Sequence, residues 1–220
     1  MKKLSALLLS VLFVMMFFTG CSNDGETFQA RTYTPNEAIR QVNIDVHDRE
    51  VEVSLSSDEQ VHIDYFESDK EYYDISISDD GVLTMAAESD KSWQDYIGGK
   101  TSAGADKISL QVPDGLLETL VITTTKGDIT LPALNVTDSL SLITNSGDIN
   151  FDRLNAENTL TLENKNGDIK GSILGGYDDY TISCSIKKGE SNLPDTKEGG
   201  QKTLKVTNNN GDIAIDFVKP

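Results

Sequence analysis

Cysteine, histidine and positive charge are all scarce in this chain of 220 residues, and each scarcity removes a class of chemistry. There are two cysteines, Cys21 and Cys184. Cys21 belongs to an N-terminal motif described below, so Cys184 has no disulfide partner, although an exported protein would permit one. The two histidines, His47 and His62, stand in strand-like segments far from Cys184. That leaves the thiol without a nearby base, and it is read as a small buried hydrophobe beside Ile182 and Ile186. Nineteen Lys and Arg face 36 Asp and Glu, a formal net charge of −17. A chain this acidic avoids nucleic acid and resists anionic lipid or wall polymer; cations and cationic partners are the classes it favours. The apolar run Leu4–Phe18 has 15 residues, short for a membrane span. No nucleotide loop, zinc spacing or serine nucleophile elbow is present.

What is abundant is one short phrase. It reads Gly127-Asp128-Ile129, Gly147-Asp148-Ile149, Gly167-Asp168-Ile169, a drifted Gly189-Glu190-Ser191, and Gly211-Asp212-Ile213, with glycines 20, 20, 22 and 22 residues apart. A fixed period of this length marks a repeat architecture. The hydrophobic frame moves with the glycine: Leu120, Leu140, Leu160, Ile182 and Leu204 stand seven before it, and Ile122, Leu142, Leu162, Cys184 and Val206 five before it. Residues two apart share a strand face, so these point inward while Thr119, Ser139, Thr159, Thr181 and Thr203 point out. Seven positions separate Ile122 from Ile129, an odd number, so the turn must reset the phase of the strand. Gly supplies the positive φ, and the polar residues before it are read as turn formers. Repeats too small to bury a face alone stack on one another.

From its start, the chain has a basic Met1-Lys2-Lys3, the apolar run, and then Phe18-Thr19-Gly20-Cys21-Ser22, which resembles the lipobox of bacterial lipoproteins. By that resemblance residues 1–20 are a signal peptide and Cys21 carries the lipid. The mature charge is then −19, because residues 1–20 hold two lysines and no acid. Residues 21–38 read as a polar tether and 39–220 as one β-repeat domain, clearest over 116–218. Val42, Ile44, Val51 and Val53 fit the repeat with Arg49-Glu50-Val51 in place of Gly-Asp-Ile. Tyr73–Ile77, Asp80-Gly81 and Val82–Met85 read as a hairpin with a type I′ turn. Ala87–Lys107 breaks the alternation and carries Trp93 and Tyr96, read as a cap on one end of the stack or as a contact loop.

Stacking in register puts Asp128, Asp148, Asp168, Glu190 and Asp212 in one column, with neighbours about 5 Å apart. Such carboxylates repel unless they are wet, cation-bound or hydrogen-bonded. The reading taken is that each accepts from backbone N–H groups and tightens its own turn. Asp128, Asp148, Asp168 and Asp212 are the candidates for a metal, but the Gly-Gly-x-Gly-x-Asp nonapeptide of calcium-binding rolls is absent. A glycosidase pair would need a raised pKa and an aromatic cleft, and the repeated positions hold one aromatic, Phe151, facing inward.

The Gly-Asp-Ile phrase, with Val112-Pro113-Asp114-Gly115 leading into Leu120-Val121-Ile122, resembles the bacterial "putative adhesin" β-strand-repeat family of unknown function, also found in LiaG-like proteins. The resemblance spans Val42 to Phe217; Gly189-Glu190-Ser191 and the glycine-free Arg49 repeat depart from it. It implies a β-solenoid at the cell envelope and no catalytic residue. The expectation is therefore an all-β solenoid of about 20-residue strand-turn-strand repeats with a more irregular N-terminal part. It is expected to be lipid-anchored outside the cytoplasm, non-catalytic and without a cofactor, with a binding, adhesion-like or scaffolding role toward an envelope protein or a cationic partner. The alternative is an enzyme acting on wall or extracellular glycan through acidic residues.

Overall fold

The computed structural model describes residues 27–91 and 105–219. Among these the chain is all-β. In chain order the strands are β1 (Gln29–Tyr33), β2 (Gln41–Asp45), β3 (Glu50–Leu55), β4 (His62–Glu67), β5 (Glu71–Ile77), β6 (Val82–Ser89), β7 (Lys107–Val112), β8 (Thr119–Thr124), β9 (Ile129–Leu131), β10 (Leu134–Val136), β11 (Ser139–Thr144), β12 (Ile149–Ala156), β13 (Thr159–Asn164), β14 (Ile169–Leu174), β15 (Tyr180–Ile186), β16 (Thr196–Lys197), β17 (Lys202–Asn208) and β18 (Ile213–Val218).

The glycine turn sends each repeat from one sheet to the other. The strand before the turn joins a sheet ordered β16-β15-β17-β13-β11-β8-β2-β6-β5, and the strand after it joins a sheet ordered β1-β4-β7-β3-β9-β12-β14-β18. Because every repeat enters in the same direction, neighbours pair parallel and in register. Leu120 pairs with Leu140, Leu140 with Leu160, and Leu160 with Leu204. On the other sheet Ile129, Ile149, Ile169 and Ile213 form the matching column. All eight are at most 2% exposed and belong to one core lying between the sheets. At roughly 25 cal/mol per Å² of apolar surface removed from water, these columns supply the main cohesion of the stack. The position four after the glycine shows how the core is fitted. A Cβ on Gly171 would lie 2.3 Å from the Phe151 ring, so the Phe151 ring takes the space that a side chain at 171 would need.

The stacking order departs from chain order at both ends. β2–β3 lies between β6–β7 and β8–β9, and β17–β18 is inserted between β13–β14 and β15. The Asp column therefore runs 128, 148, 168, 212, 190, not in sequence order. β6 pairs parallel with β2 and β7 parallel with β3, in the manner of a further coil.

Antiparallel strands close the N-terminal end: β5 on β6, β4 on β7 and β1 on β4. Gln29–Tyr33, which the sequence places in the tether, is thus an edge strand. Only Arg31 and Tyr33 of its residues are even partly buried, so it has no apolar alternation to betray it. The β5–β6 hairpin is as expected, but its turn is not type I′. Type I′ needs positive φ at both central residues, and no non-glycine residue among those described has one. Instead Gly81 N–H donates to Ser78 O at 3.0 Å with Gly81 at φ 75°, a three-residue loop with a glycine bulge.

Candidate functional site

The repeated phrase forms one continuous edge of the molecule, and two hydrogen-bond ladders run along it. The first uses the backbone. Gly147 N–H donates to Asn166 O at 3.1 Å and Ile149 N–H to Asp168 O at 2.9 Å, both in the next coil. Between these two donors the Asp N–H finds no backbone acceptor, because the phase reset turns it out of the ladder. The Asp carboxylate of the preceding coil takes it instead. Asp128 Oδ1 accepts from Asp148 N–H at 2.7 Å, Asp148 Oδ1 from Asp168 at 2.8 Å, Asp168 Oδ1 from Asp212 at 2.8 Å, and Asp212 Oδ1 from Glu190 at 2.9 Å. The carboxylates are hydrogen-bonded to turn amides, but each ties its coil to the next and does not tighten its own turn.

The second ladder lies just inside. Thr124, Thr144, Asn164 and Asn208, three residues before their glycines, are buried. Thr144 Oγ1 donates to Gly127 O at 3.2 Å, Asn164 Nδ2 to Gly147 O at 2.7 Å and Asn208 Nδ2 to Gly167 O at 2.9 Å. Asn164 and Asn208 also form the turn as expected, their Oδ1 atoms accepting from Asn166 and Asn210 N–H at 3.1 and 3.2 Å, and the same buried side chains bind the glycine carbonyl of the neighbouring coil. The alternation that places Leu120 and Ile122 inward also places Thr124 inward, which is the signal that could have found them. Between the ladders there is room for glycine alone. A Cβ on Gly147, at φ 130°, would stand 2.4 Å from Gly127 O.

Lys170 extends the Asp edge. Its Nζ lies 2.6 Å from Asp168 Oδ2. That contact, with the Asp212 N–H second, holds the Asp168 carboxyl below the ordinary aspartate value, and Asp168 raises Lys170 in return. Among the described residues no group of three or more His, Cys, Asp or Glu converges as a metal site. Two shallow hollows open on the surface. One of about 380 Å³ is lined by Asp48, Glu50, Asp106, Lys126, Gly127 and Asp128. The other, of about 270 Å³, lies over Phe151 and Gly171 between Asn150, Asp152 and Lys170.

Cys184 is buried, with Sγ 3.5 Å from Ser191 Oγ. The histidines stay apart: His47 faces Thr125 Oγ1 at 3.4 Å, and His62 bridges Thr34 and Asp58. Cys21, Trp93 and Tyr96 lie outside the described residues. Sequence reasoning missed the role of Arg49. It stands where other coils have glycine, is 8% exposed, and reaches β5, donating to Tyr73 Oη at 2.8 Å and pairing with Glu71. Lys91 pairs with the same Glu71 carboxylate.

Parallel strands in two facing sheets, joined along one edge by a repeated Gly-Asp turn, define an all-β repeat protein without a closed barrel. The chain belongs to the Toastrack DUF4097 family, whose model matches residues 39–219. No curated protein matches it. Among solved structures it is similar to a "putative cell adhesion protein" from Clostridium sporogenes, with a TM-score of 0.58 and 11% identity over 89% of this chain and 100% of that one. It also matches a "putative adhesin" from Bacteroides fragilis, with a TM-score of 0.46 and 14% identity over 87% and 97% of the two chains. At 11% identity the likeness to the first of these is one of fold.

Proposed function

We propose that the chain is a β-solenoid of about 20-residue coils, held to the outer face of the cell membrane by a lipid on Cys21, which binds or scaffolds other envelope components without catalysing a reaction. The observation that carries the non-catalytic reading is the use of the repeated carboxylates. Asp128, Asp148, Asp168 and Asp212 each accept from a backbone N–H of the neighbouring coil. These hydrogen bonds give the repeated carboxylates a structural role that accounts for their recurrence without catalysis. A rigid stack of coils offers extended flat faces, which suit contact with a large partner better than enclosure of a small one.

The anchor rests on Phe18-Thr19-Gly20-Cys21-Ser22 and on the need for more than one acyl chain to hold a protein firmly at a bilayer. Replacing Cys21 by Ser tests it: lipid labelling is lost and the protein leaves the membrane fraction. Unchanged retention, with the mature N-terminus at another residue, refutes the anchor. Proximity crosslinking on intact cells tests the binding role; it recovers envelope proteins reproducibly if the chain is a scaffold, and only abundant bystanders if it is not.

A further inference from the structure

We propose that the open edge of β5 takes up an extended, basic segment of a partner protein as an added strand; this rests on the binding role above and names the chemistry of the partner. In the hairpin, Asp90 N–H donates to Lys70 O at 2.9 Å and Ser78 N–H to Val82 O at 3.0 Å. With the register Tyr72↔Glu88, Asp74↔Ala86 and Ser76↔Thr84, the even-numbered residues of β5 exchange hydrogen bonds with β6. The odd-numbered residues then turn their N–H and C=O away from it. Glu71 is occupied, because Ser68 N–H donates to its carbonyl and its own N–H donates to Ser68 Oγ. The outward backbone groups of Tyr73, Ile75 and Ile77 have no hydrogen-bond partner among the described residues.

Two further properties select the occupant. The side chains of Tyr73, Ile75 and Ile77 are partly buried against the core, so alternate side chains of an added strand would meet apolar surface. Its remaining side chains would lie beside exposed Tyr72, Asp74 and Ser76. That outer side is strongly negative: Asp69, Asp74, Asp79, Asp80, Glu88 and Asp90 are all exposed on and around the hairpin. Its field reaches the Tyr72 hydroxyl, which Asp90 first, and then partial desolvation, holds above its ordinary value. A second copy offering its own β5 would bring these acids together, so charge rejects it. An extended segment alternating apolar and basic residues satisfies backbone, core and charge at once.

The test is a titration of the full chain with a synthetic peptide of alternating valine and lysine, and with its valine–glutamate counterpart, followed by amide exchange. The lysine peptide is expected to bind, to bind more tightly at low salt, and to protect the amides of Tyr73, Ile75 and Ile77; the glutamate peptide is expected not to bind. Ile75→Pro deletes one outward donor and no bond to β6, and should weaken binding about tenfold, the effect of roughly one backbone hydrogen bond. Asp74→Lys, at an exposed site, should weaken it by a similar factor and carries the test if the proline variant fails to fold. Equal binding of both peptides, protection at other residues, or undiminished affinity in Asp74→Lys overturns the proposal. Proximity crosslinking on intact cells reports on the binding role separately, and membrane release of Cys21→Ser on the anchor, so failure of this proposal is distinguishable from failure of either.

Discussion

Removing one carboxylate from the Asp edge discriminates among the accounts of that edge. In Asp148→Ala the Asp168 N–H loses its acceptor, Asp148 Oδ1 at 2.8 Å, while the Asp148 N–H keeps Asp128 Oδ1 at 2.7 Å. A hydrogen bond to a charged acceptor is worth about 1.5–3 kcal/mol when buried, but this turn is only part-buried and water can replace part of the loss. The expected destabilisation is therefore about 1 kcal/mol, near the loss of a helix-capping side chain. In a domain of this size that lowers Tm by about 2–4 °C. Asp148→Asn retains an amide oxygen and should stay within about 0.5 kcal/mol of the parent. Amide exchange locates the effect. The Asp168 N–H should lose protection in the alanine variant, whereas Gly147 and Ile149, whose N–H groups donate to Asn166 O and Asp168 O, should keep theirs. Loss of protection at Gly147 or Ile149 with Asp168 unchanged would mean that the carboxylate caps its own turn after all. A rise in Tm with millimolar calcium that disappears in Asp148→Asn would make the edge a cation site, since a ligand selective for the folded state stabilises it.

Gly147→Val should destabilise by on the order of 3 kcal/mol or more, because a Cβ there meets Gly127 O at 2.4 Å at φ 130°, while Ser146→Val should change little; denaturant midpoints compare them. Glu71→Leu should cost about 2–3 kcal/mol in urea unfolding, since it removes the carboxylate shared by Arg49 and Lys91 and leaves the buried Arg49 guanidinium, among the described residues, with the Tyr73 hydroxyl and the Asp48 carbonyl; a variant as stable as the parent would refute that role. The folded-state pKa of Asp168 lies below its unfolded value, so its contribution is present above the ordinary aspartate range and is lost as pH falls through the lowered value. Lys170, raised by the same contact, contributes below its ordinary value, and that contribution is lost only as pH rises through the raised one. Asp168→Asn should accordingly flatten both limbs of the stability profile measured by thermal melting, and a profile identical to the parent would show the pair to be inert.

The hydrophobic frame was legible because two periods coincide: alternation within a strand and the 20- to 22-residue spacing of the glycine. Leu120, Leu140, Leu160 and Leu204 could be aligned by counting, and they pair in the structure. Coil order was not legible. The repeats ending at Gly189 and Gly211 have equal spacing, and nothing local tells the Leu160 strand that its neighbour is Leu204 and not Ile182. That choice is made by long-range packing. β1 escaped for the opposite reason, since an edge strand with only Arg31 and Tyr33 partly buried carries no alternation to count. The Asp residues were placed in the right column with the wrong partner, because the sequence shows a carboxylate near turn amides but not which coil supplies them. Arg49 was seen only as a missing glycine; its pairing with Glu71 joins residues that no repeat relates.

A stack of parallel coils with an identical turn on every coil has an inherent danger, since each end presents a template for another coil and hence for a fibre. Both ends of this molecule are built against it. At the C-terminal end the exposed edge of β18 is filled by a side chain: Asn192 Nδ2 donates to Ile215 O at 2.9 Å, and Asn192 Oδ1 accepts from Ile215 N–H at 3.0 Å. One amide thus occupies both outward backbone groups of Ile215, and β16 crosses β15 antiparallel on the other sheet. At the N-terminal end β1, β4 and β5 reverse direction, so a copy of the chain cannot continue the parallel register that the Gly-Asp turn requires. The outward groups of Tyr73, Ile75 and Ile77 on β5 still lack partners among the described residues. There the protection is electrostatic, through the acids around the hairpin, and electrostatic protection is selective: it turns away another acidic edge and admits a basic one.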